Sequence, residues 1–211
     1  MEIVNPKLIV ISAPSGSGKT SIFKKAREIL PNLIFSISYT TRQAREGERE
    51  GEDYFYTDTD HFQRMIASDQ FMEWAEVYGN FYGTTKEFIL QSQADGKIVI
   101  LDIDVQGAMQ LKQLPDLEAV FVFIMPPSLD ELSNRLISRA TEDLSSIQKR
   151  LNNAEKEMSY QHQYGYQIIN DDLDRAVDDF LRVVINECYD LKGELNPDID
   201  TIISRLKKSA S

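Results

Sequence analysis

Short apolar runs alternate with amphipathic segments in the first and last parts of the chain. The continuous apolar runs predict buried strands, and the segments with a period near 3.6 predict helices. The predicted strands are residues 8–11, 33–37, 97–103, 119–124 and 166–169, and the predicted helices are 21–30, 105–114, one opening at Ser128, 146–161, 174–191 and one opening at Asn196-Pro197. This alternation predicts an α/β fold with a parallel sheet, right-handed crossovers and helices on both faces.

Two segments break the alternation. Residues 38–94 open with a polar, basic, glycine-punctuated loop, followed by short aromatic strands at 53–57 and 71–78 and helices at 59–68 and 85–94. They predict a small antiparallel insertion. A polar helical pair predicts a second insertion on the surface, with capping-box signatures at Ser128 and Ser145.

The resulting division is a single domain with two insertions, which we call the arm and the lid. The core comprises residues 1–37, 95–125 and 162–211; the arm is 38–94, and the lid is 126–161. The tail from Lys207 is expected to fray.

The charge distribution narrows the range of partners. The 211-residue chain has a net charge of −11, which argues against general binding of nucleic acid or an anionic membrane. Yet six of its eleven arginines fall within residues 42–49 and 135–150. Positive charge concentrated in two segments of an acidic chain indicates dedicated sites for small anions.

The single cysteine, Cys188, excludes an intrachain disulfide and favours a reducing compartment. The chain opens without a charged-then-apolar leader, and no apolar stretch reaches the roughly 20 residues of a membrane span. These features predict a cytoplasmic protein with no membrane partner. Monomeric and homo-oligomeric forms both remain open.

A glycine-rich turn between the first strand and the first helix is the strongest chemical signal. Its glycines allow backbone N–H groups to converge, and the following helix adds unpaired donors and partial positive charge. A lysine there can reach outer phosphates and a hydroxyl can ligate Mg²⁺. An ordinary glycine-rich turn is the alternative, but the flanking strand and helix favour phosphate binding, and with it an α/β fold of the P-loop NTPase type. The segment is Ala13-Pro14-Ser15-Gly16-Ser17-Gly18-Lys19-Thr20, followed by Ser21.

Asp102 and Asp104 stand two apart at the end of the predicted strand 97–103. A period of two places both carboxylates on one face, at the edge where α/β sheets bind ligands. At least one of them is therefore expected to hold Mg²⁺, directly or through water. The alternative is an ordinary acidic residue at the turn after a strand.

Several motifs beyond the phosphate loop resemble the guanylate kinase family, in order and at matching spacing over roughly residues 7–190. They are Ala13–Thr20, Phe35–Arg42, Gly51–Phe55, Phe71–Ala75, Gly79–Thr84, Leu101–Gly107 and Ile169–Asp172. The resemblance implies Mg²⁺-dependent phosphoryl transfer from ATP to GMP or dGMP, giving ADP and GDP or dGDP.

The resemblance also implies roles for individual residues. Arg42, Arg45, Tyr54 and Tyr82 correspond to contacts to the GMP phosphate, and Ser38, Glu73, Thr84 and Asp104 to guanine-side residues. Arg135, Arg139 and Arg150 correspond to lid arginines that act with Lys19 in catalysis, and Asn170 to an adenine-side residue of the ATP site.

The chemistry of these residues fits such roles. A carboxylate such as Glu73 can accept hydrogen bonds from guanine N1–H and N2–H, and adenine lacks that pair of donors. Arginines offer bidentate contacts to phosphate. The lid arginines would neutralise charge on a metaphosphate-like transition state. Taken singly, the same residues could be a solvated strand glutamate, half-buried tyrosines and a solvated basic helix face.

Two other functions remain as alternatives. One is a catalytically inactive, guanylate-kinase-like module that binds phosphorylated or acidic peptides. The presence of Lys19, Thr20 and the lid arginines argues against it, since such modules have usually lost the loop lysine or the lid arginines. The other is a related small-molecule kinase with a different acceptor, against which the set Arg42, Arg45, Glu73 and Tyr82 argues.

Overall fold

Strand β1 (Leu8–Ser12) is buried along its whole length and forms the centre of the fold. The computed structural model describes residues 7–77, 79–138, 144–189 and 199–210. The other strands are β2 (Leu33–Phe35), β3 (Tyr39–Thr40), β4 (Phe55–Tyr56), β5 (Phe71–Val77), β6 (Asn80–Thr85), β7 (Ile98–Asp102), β8 (Ala119–Met125) and β9 (Tyr166–Ile169). The helices are α1 (Lys19–Ile29), α2 (Thr59–Ala67), α3 (Lys86–Ala94), α4 (Val105–Leu111), α5 (Leu129–Ser138), α6 (Leu144–Met158), α7 (Leu173–Cys188) and α8 (Ile199–Ala210).

The central sheet has the order β2-β7-β1-β8-β9, and all its pairs are parallel. The predicted parallel α/β sheet is therefore confirmed. Its two faces bury separate apolar clusters: one includes residues of α1, α7 and α8, and the other includes residues of α3 and α4. Helices thus cover both faces, which explains why the strands carry apolar residues without alternation.

Residues between β2 and α3 form a second sheet, in the order β4-β3-β6-β5. Strands β5 and β6 are antiparallel, as are β3 and β6, but β3 and β4 are parallel, so the sheet is mixed and not purely antiparallel as expected. Helix α2 closes it through a cluster of Phe62, Met65 and Phe71. The Asp58 carboxylate caps α2 by accepting from the His61 N–H at 2.6 Å.

Helices α5 and α6 have a small apolar core of their own, formed by Leu132, Leu136, Ile147 and Ala154. The predicted cap at Ser128 is confirmed, because its hydroxyl accepts from the Glu131 N–H at 3.1 Å. The predicted cap at Ser145 is wrong, since α6 already begins at Leu144. Arg139 and the Asn196-Pro197 signal lie outside the described residues.

Three further expectations differ from the structure. Strands β3 and β6 were not anticipated, since β6 contains Gly83, a residue that weakens strands. Gly83 is tolerated because a Cβ there would lie 2.9 Å from the Phe71 ring, so the pairing of β5 and β6 needs glycine. Helix α4 ends at Leu111, short of the predicted 114. Helix α8 runs to Ala210, so the predicted fraying from Lys207 is wrong.

Across the described ranges, no helix combines the length and the hydropathy that crossing a membrane requires.

Replacement of Phe180 tests the core beneath α1 and α7. Its side chain is 0% exposed and its ring lies 5.2 Å from that of Phe23. Phe180→Ala should lower the free energy of unfolding by about 3–5 kcal/mol, through lost burial and the cavity left behind. Leu90→Ala, at a helix position that is 61% exposed, is the control and should cost less than about 0.5 kcal/mol. Urea titration of both variants measures the two free energies of unfolding, and equal decreases in the two variants would contradict the packing described.

Candidate functional site

The chemically distinctive residues gather at the carboxyl edge of the central sheet. The glycine-rich loop follows β1, Asp102 ends β7, and Asn170 follows β9. Because the strands are parallel, these three chain segments leave the sheet at the same edge. This is the edge at which open α/β sheets bind ligands.

The loop between β1 and α1 has the geometry of an anion cradle. Gly16 and Gly18 have φ angles of 97° and 87°, in the left-handed region that glycine adopts without strain. The Ser17 N–H donates to the Pro14 carbonyl at 3.1 Å, which closes the turn. Helix α1 begins at Lys19, and its N-cap Gly18 has no side chain to occupy the first N–H groups. Those donors and the helix dipole are therefore available to a phosphate.

Asn170 supports this loop from behind. Its side-chain amide donates to the Ser17 carbonyl at 2.7 Å, and its own N–H donates to the Met125 carbonyl at 2.8 Å. The side chain of Asn170 lies so close that a Cβ on Gly18 would stand 2.1 Å from its nitrogen. Asn170 is therefore buried against the loop backbone. Its predicted contact on the adenine side stays a prediction.

Lys19 and Asp102 form an ion pair across the edge of the sheet. Both side chains are partly exposed, and the Thr20 hydroxyl belongs to an exposed residue beside them. Glu157 on α6 completes the surroundings of Lys19: partial burial raises the pKa of this carboxyl, and the nearby ammonium opposes the shift. Within the described ranges, no cluster of three acidic, histidine or cysteine residues forms a ready metal site.

Asp104 does not repeat the environment of Asp102. It lies beyond the end of β7 and caps α4, where its carboxylate accepts from the N–H groups of Gln106 (2.7 Å) and Gly107 (3.1 Å). Its negative charge contributes to the raised pKa of Glu73. The start of α4 thus connects the phosphate-loop edge with the second sheet.

Glu73 is the most unusual carboxyl group of the second sheet. It is 7% exposed, and burial raises its pKa to about 7. Its Oε1 accepts from the Thr84 N–H at 3.1 Å, and the Thr84 hydroxyl lies 3.1 Å from that of Ser38. A Cβ on Gly107 would stand 3.4 Å from the other carboxyl oxygen, so α4 closes this pocket. The structure thus brings together Ser38, Glu73, Thr84 and Asp104, as the sequence grouped them.

A basic and aromatic cluster lies on the same sheet. The Arg42 guanidinium stands 5.3 Å from the centre of the Tyr54 ring, and the Tyr54 and Tyr82 rings are 6.0 Å apart. Arg42 also forms an ion pair with Glu48 at 2.8 Å. Sequence reasoning missed Glu48, although an acid between two arginines of the loop was a usable signal. The side chain of Arg45 is exposed.

The arginines of the helical pair face the phosphate loop. Arg135 donates to Glu131 at 3.0 Å through Nε, and to the Asn170 carbonyl at 3.0 Å through Nη2. Arg150 on α6 donates to the Ser15 hydroxyl within the loop. These two arginines therefore do not belong to a purely solvated helix face.

A parallel α/β sheet with a phosphate loop, an acid at the neighbouring strand end and arginines over the loop defines the class of P-loop phosphotransferases. The guanylate kinase family profile matches residues 5–187. The chain belongs to the guanylate kinase family.

Individual relatives agree over nearly the whole chain. The chain is 49% identical to guanylate kinase of Caldanaerobacter subterraneus subsp. tengcongensis over 85% of its own length and 87% of the relative's. It is 43% identical to guanylate kinase of Caulobacter vibrioides, with coverage of 95% and 93%. A crystal structure of guanylate kinase from Anaplasma phagocytophilum matches with a TM-score of 0.71 at 33% identity, covering 90% of this chain and 89% of that one.

Gly18→Ala tests the contact between the loop and Asn170. The new Cβ would clash with the Asn170 amide as well as meet backbone strain, so we expect the affinity for ATP to fall roughly tenfold or more. Gly96→Ala is a matched control, because Gly96 also has a positive φ of 70° but open space around it. It should cost about 1–2 kcal/mol of unfolding free energy from strain alone and leave ATP binding unchanged.

Calorimetric titration with ATP and urea unfolding of both variants provide the measurements. Equal ATP affinity in the two variants would show that crowding at Gly18 does not shape the loop.

Proposed function

We propose that this protein is a guanylate kinase that transfers a phosphoryl group from ATP to GMP or dGMP, giving ADP and GDP or dGDP in purine nucleotide metabolism. Membership of the family supports the reaction. Among the features of the molecule, the buried Glu73 carboxyl beside two hydroxyl groups carries the proposal furthest. Such a group is costly to bury, and guanine supplies the donors that would compensate it.

In this proposal the phosphate loop, residues 13–21, binds ATP. Its backbone N–H groups hold the β- and γ-phosphates, and Lys19 leaves Asp102 to contact the oxygens of the transferred group. Asn170 keeps the loop in its binding conformation, and its neighbourhood would receive the adenine. Arg135 and Arg150, whose contacts already reach Asn170 and the loop, would complete the site from the lid, together with Arg139.

The second sheet is proposed to bind GMP in two parts. Ionised Glu73 accepts from guanine N1–H and N2–H, while the Ser38 and Thr84 hydroxyls donate to O6, with Asp104 beside them. Arg42, Arg45, Tyr54 and Tyr82 hold the phosphate. AMP would supply neither guanine donor, so Glu73 would keep only its contacts with Thr84, and this incompletely paired buried carboxylate would disfavour AMP binding.

The residues present fit Mg²⁺ as the cofactor. Thr20 and Asp102 offer hard oxygen ligands at the phosphate edge, and a small number of protein ligands suits an ion that also binds phosphate oxygens and water. When bound, Mg²⁺ would neutralise charge on the phosphates.

The chain itself would supply positioning and charge neutralisation. The GMP phosphate oxygen is the nucleophile, so no side chain needs to attack. The bond from that oxygen to the γ-phosphorus forms while the bond to the β–γ bridging oxygen breaks, and ADP leaves. The lid, residues 126–161, would exclude water, which is the competing acceptor. We further propose that residues 38–94 act as the arm that binds GMP, and that the protein acts in the cytoplasm.

A panel of mononucleotides tests the proposed reaction. With ATP and Mg²⁺ in a coupled assay of ADP formation, GMP and dGMP should be phosphorylated, while AMP, CMP and UMP should give less than about 1% of that rate.

Lys19→Met should keep the fold, since Lys19 is partly exposed, yet lose nearly all turnover.

Preference for another mononucleotide would refute the guanine specificity. Absence of phosphoryl transfer to all five mononucleotides would instead favour the peptide-binding module. Turnover by Lys19→Met within tenfold of wild type would show that Lys19 does not take part in the chemical step.

Glu73→Gln tests how guanine is recognised. At pH 8 the variant should bind GMP more weakly by roughly 1–3 kcal/mol and ATP equally well, because its amide has one acceptor oxygen and opposes a guanine donor. The Glu73 pKa of about 7 makes the difference depend on pH. Since only the ionised carboxyl accepts from both donors, the ratio of wild-type to variant affinity should grow about tenfold between pH 6 and 8.

Calorimetric titration of GMP at several pH values measures this ratio, in which the titration of the GMP phosphate cancels. A ratio that stays constant with pH, or an equal loss of ATP affinity, would contradict the role of Glu73.

A further inference from the structure

Glu48 lies at the centre of the loop between β3 and β4 and makes three separate contacts. Its Oε1 accepts from Arg42 Nη2 at 2.8 Å. Its Oε2 accepts from the Arg45 N–H at 2.7 Å and from the Tyr56 hydroxyl at 2.8 Å. One carboxylate thus ties together a binding-site guanidinium, the backbone of the basic loop and strand β4.

These contacts fix the ionisation of the group. The donors, with Arg42 the largest contribution, lower the pKa of Glu48 to about 2. The same contact raises the pKa of Arg42, and burial together with the hydrogen bond to Glu48 raises that of Tyr56. Glu48 is therefore charged at every pH at which the protein would work.

The ion pair between Glu48 and Arg42 has two opposite possible effects: the carboxylate competes with a phosphate for the guanidinium, or it orients the guanidinium to bind the phosphate. The number of donors on Arg42 favours orientation. A guanidinium has five N–H groups, of which the contacts to Glu48 and to the Gln43 carbonyl (2.7 Å) use two. A third contact, to the Tyr82 hydroxyl, contributes to the raised pKa of Arg42, and the remaining donors belong to a group that lies beside Tyr54.

We propose that Glu48 is a positioning residue for phosphoryl transfer: it fixes the Arg42 guanidinium, with support from the Tyr56 hydroxyl, in the orientation that receives the acceptor's phosphate. The proposal rests on the proposed function, since it concerns the GMP phosphate. Its physical basis is preorganisation. An arginine and a loop already ordered in the free protein lose less entropy when the nucleotide binds.

Glu48→Gln is the direct test. The amide keeps the shape but replaces an acceptor with a donor, so at least one of the three contacts opposes donor to donor. The dissociation constant and the KM for GMP should rise roughly tenfold or more, and the values for ATP should stay within about twofold. Glu46→Gln, an exposed charge two residues away, is the matched control and should leave both nucleotides unaffected. Tyr56→Phe removes one donor and should weaken GMP binding by only a fewfold.

A double-mutant cycle separates positioning of Arg42 from general support of the loop. If Glu48 acts through Arg42, then Glu48→Gln in an Arg42→Ala background should change GMP affinity by less than about twofold. If the losses of GMP affinity in the two single variants instead multiply in the double variant, Glu48 merely stabilises the loop, and the proposal is overturned. Unchanged or tighter GMP binding by Glu48→Gln would overturn it too, the latter by showing that the carboxylate competes with phosphate.

Two controls keep these outcomes interpretable. Should Glu48→Gln fail to fold, Glu48→Asp replaces it, and its shorter charged side chain should raise the KM for GMP severalfold without changing that for ATP; an unchanged KM for GMP would refute the proposal. A wild-type protein that does not phosphorylate GMP would refute the proposed function. Wild-type activity with normal GMP kinetics in the Glu48 variants would refute only the role of Glu48.

Discussion

The left-handed turn at Gly18 is the constraint on which the site depends. It carries the chain from a fully buried strand into α1 while the first N–H groups of that helix stay uncapped. The space that a Cβ would occupy is taken by the Asn170 amide, and the Asn170 carbonyl in turn accepts from Arg135. The loop, the end of β9 and α5 therefore form one connected unit. A substitution in any of these three segments should therefore alter the conformation of the phosphate cradle.

Two glutamates of the second sheet show how surroundings decide the role of a carboxyl group. Glu73 is buried with few donors, so its pKa rises to about 7 and it gains from any ligand that supplies N–H groups. Glu48 accepts from three donors, so its pKa falls to about 2 and it has little left to offer a ligand directly. The first is suited to reading a base. The second is suited to holding another side chain in place.

The sequence predicted the parallel sheet, the phosphate loop and the family, because continuous apolar strands and a strand–glycine loop–helix pattern are local signals. It did not predict β6, whose Gly83 makes sense only with Phe71 packed against it, nor the parallel pairing of β3 with β4. It grouped Arg42 with the tyrosines but missed Glu48, since acids in basic loops are usually solvated. It also could not show that Asn170 is committed to the loop backbone, because that contact joins residues 153 positions apart.

Ion pairs between cations and carboxylates explain how an acidic chain can contain a site for anions. Three cations that face the proposed phosphates each have a carboxylate partner: Lys19 with Asp102, Arg42 with Glu48, and Arg135 with Glu131. These partners keep the cations ordered and limit their mutual repulsion when no phosphate is bound. The pairs are not equivalent, however. In the proposed mechanism the compact ammonium of Lys19 would exchange Asp102 for phosphate and leave that carboxylate available to Mg²⁺, whereas the planar guanidinium of Arg42 can bind Glu48 and phosphate on different edges. On this proposal, lysine suits the loop, where the acidic partner is released, and arginine suits the arm, where the acidic partner is retained.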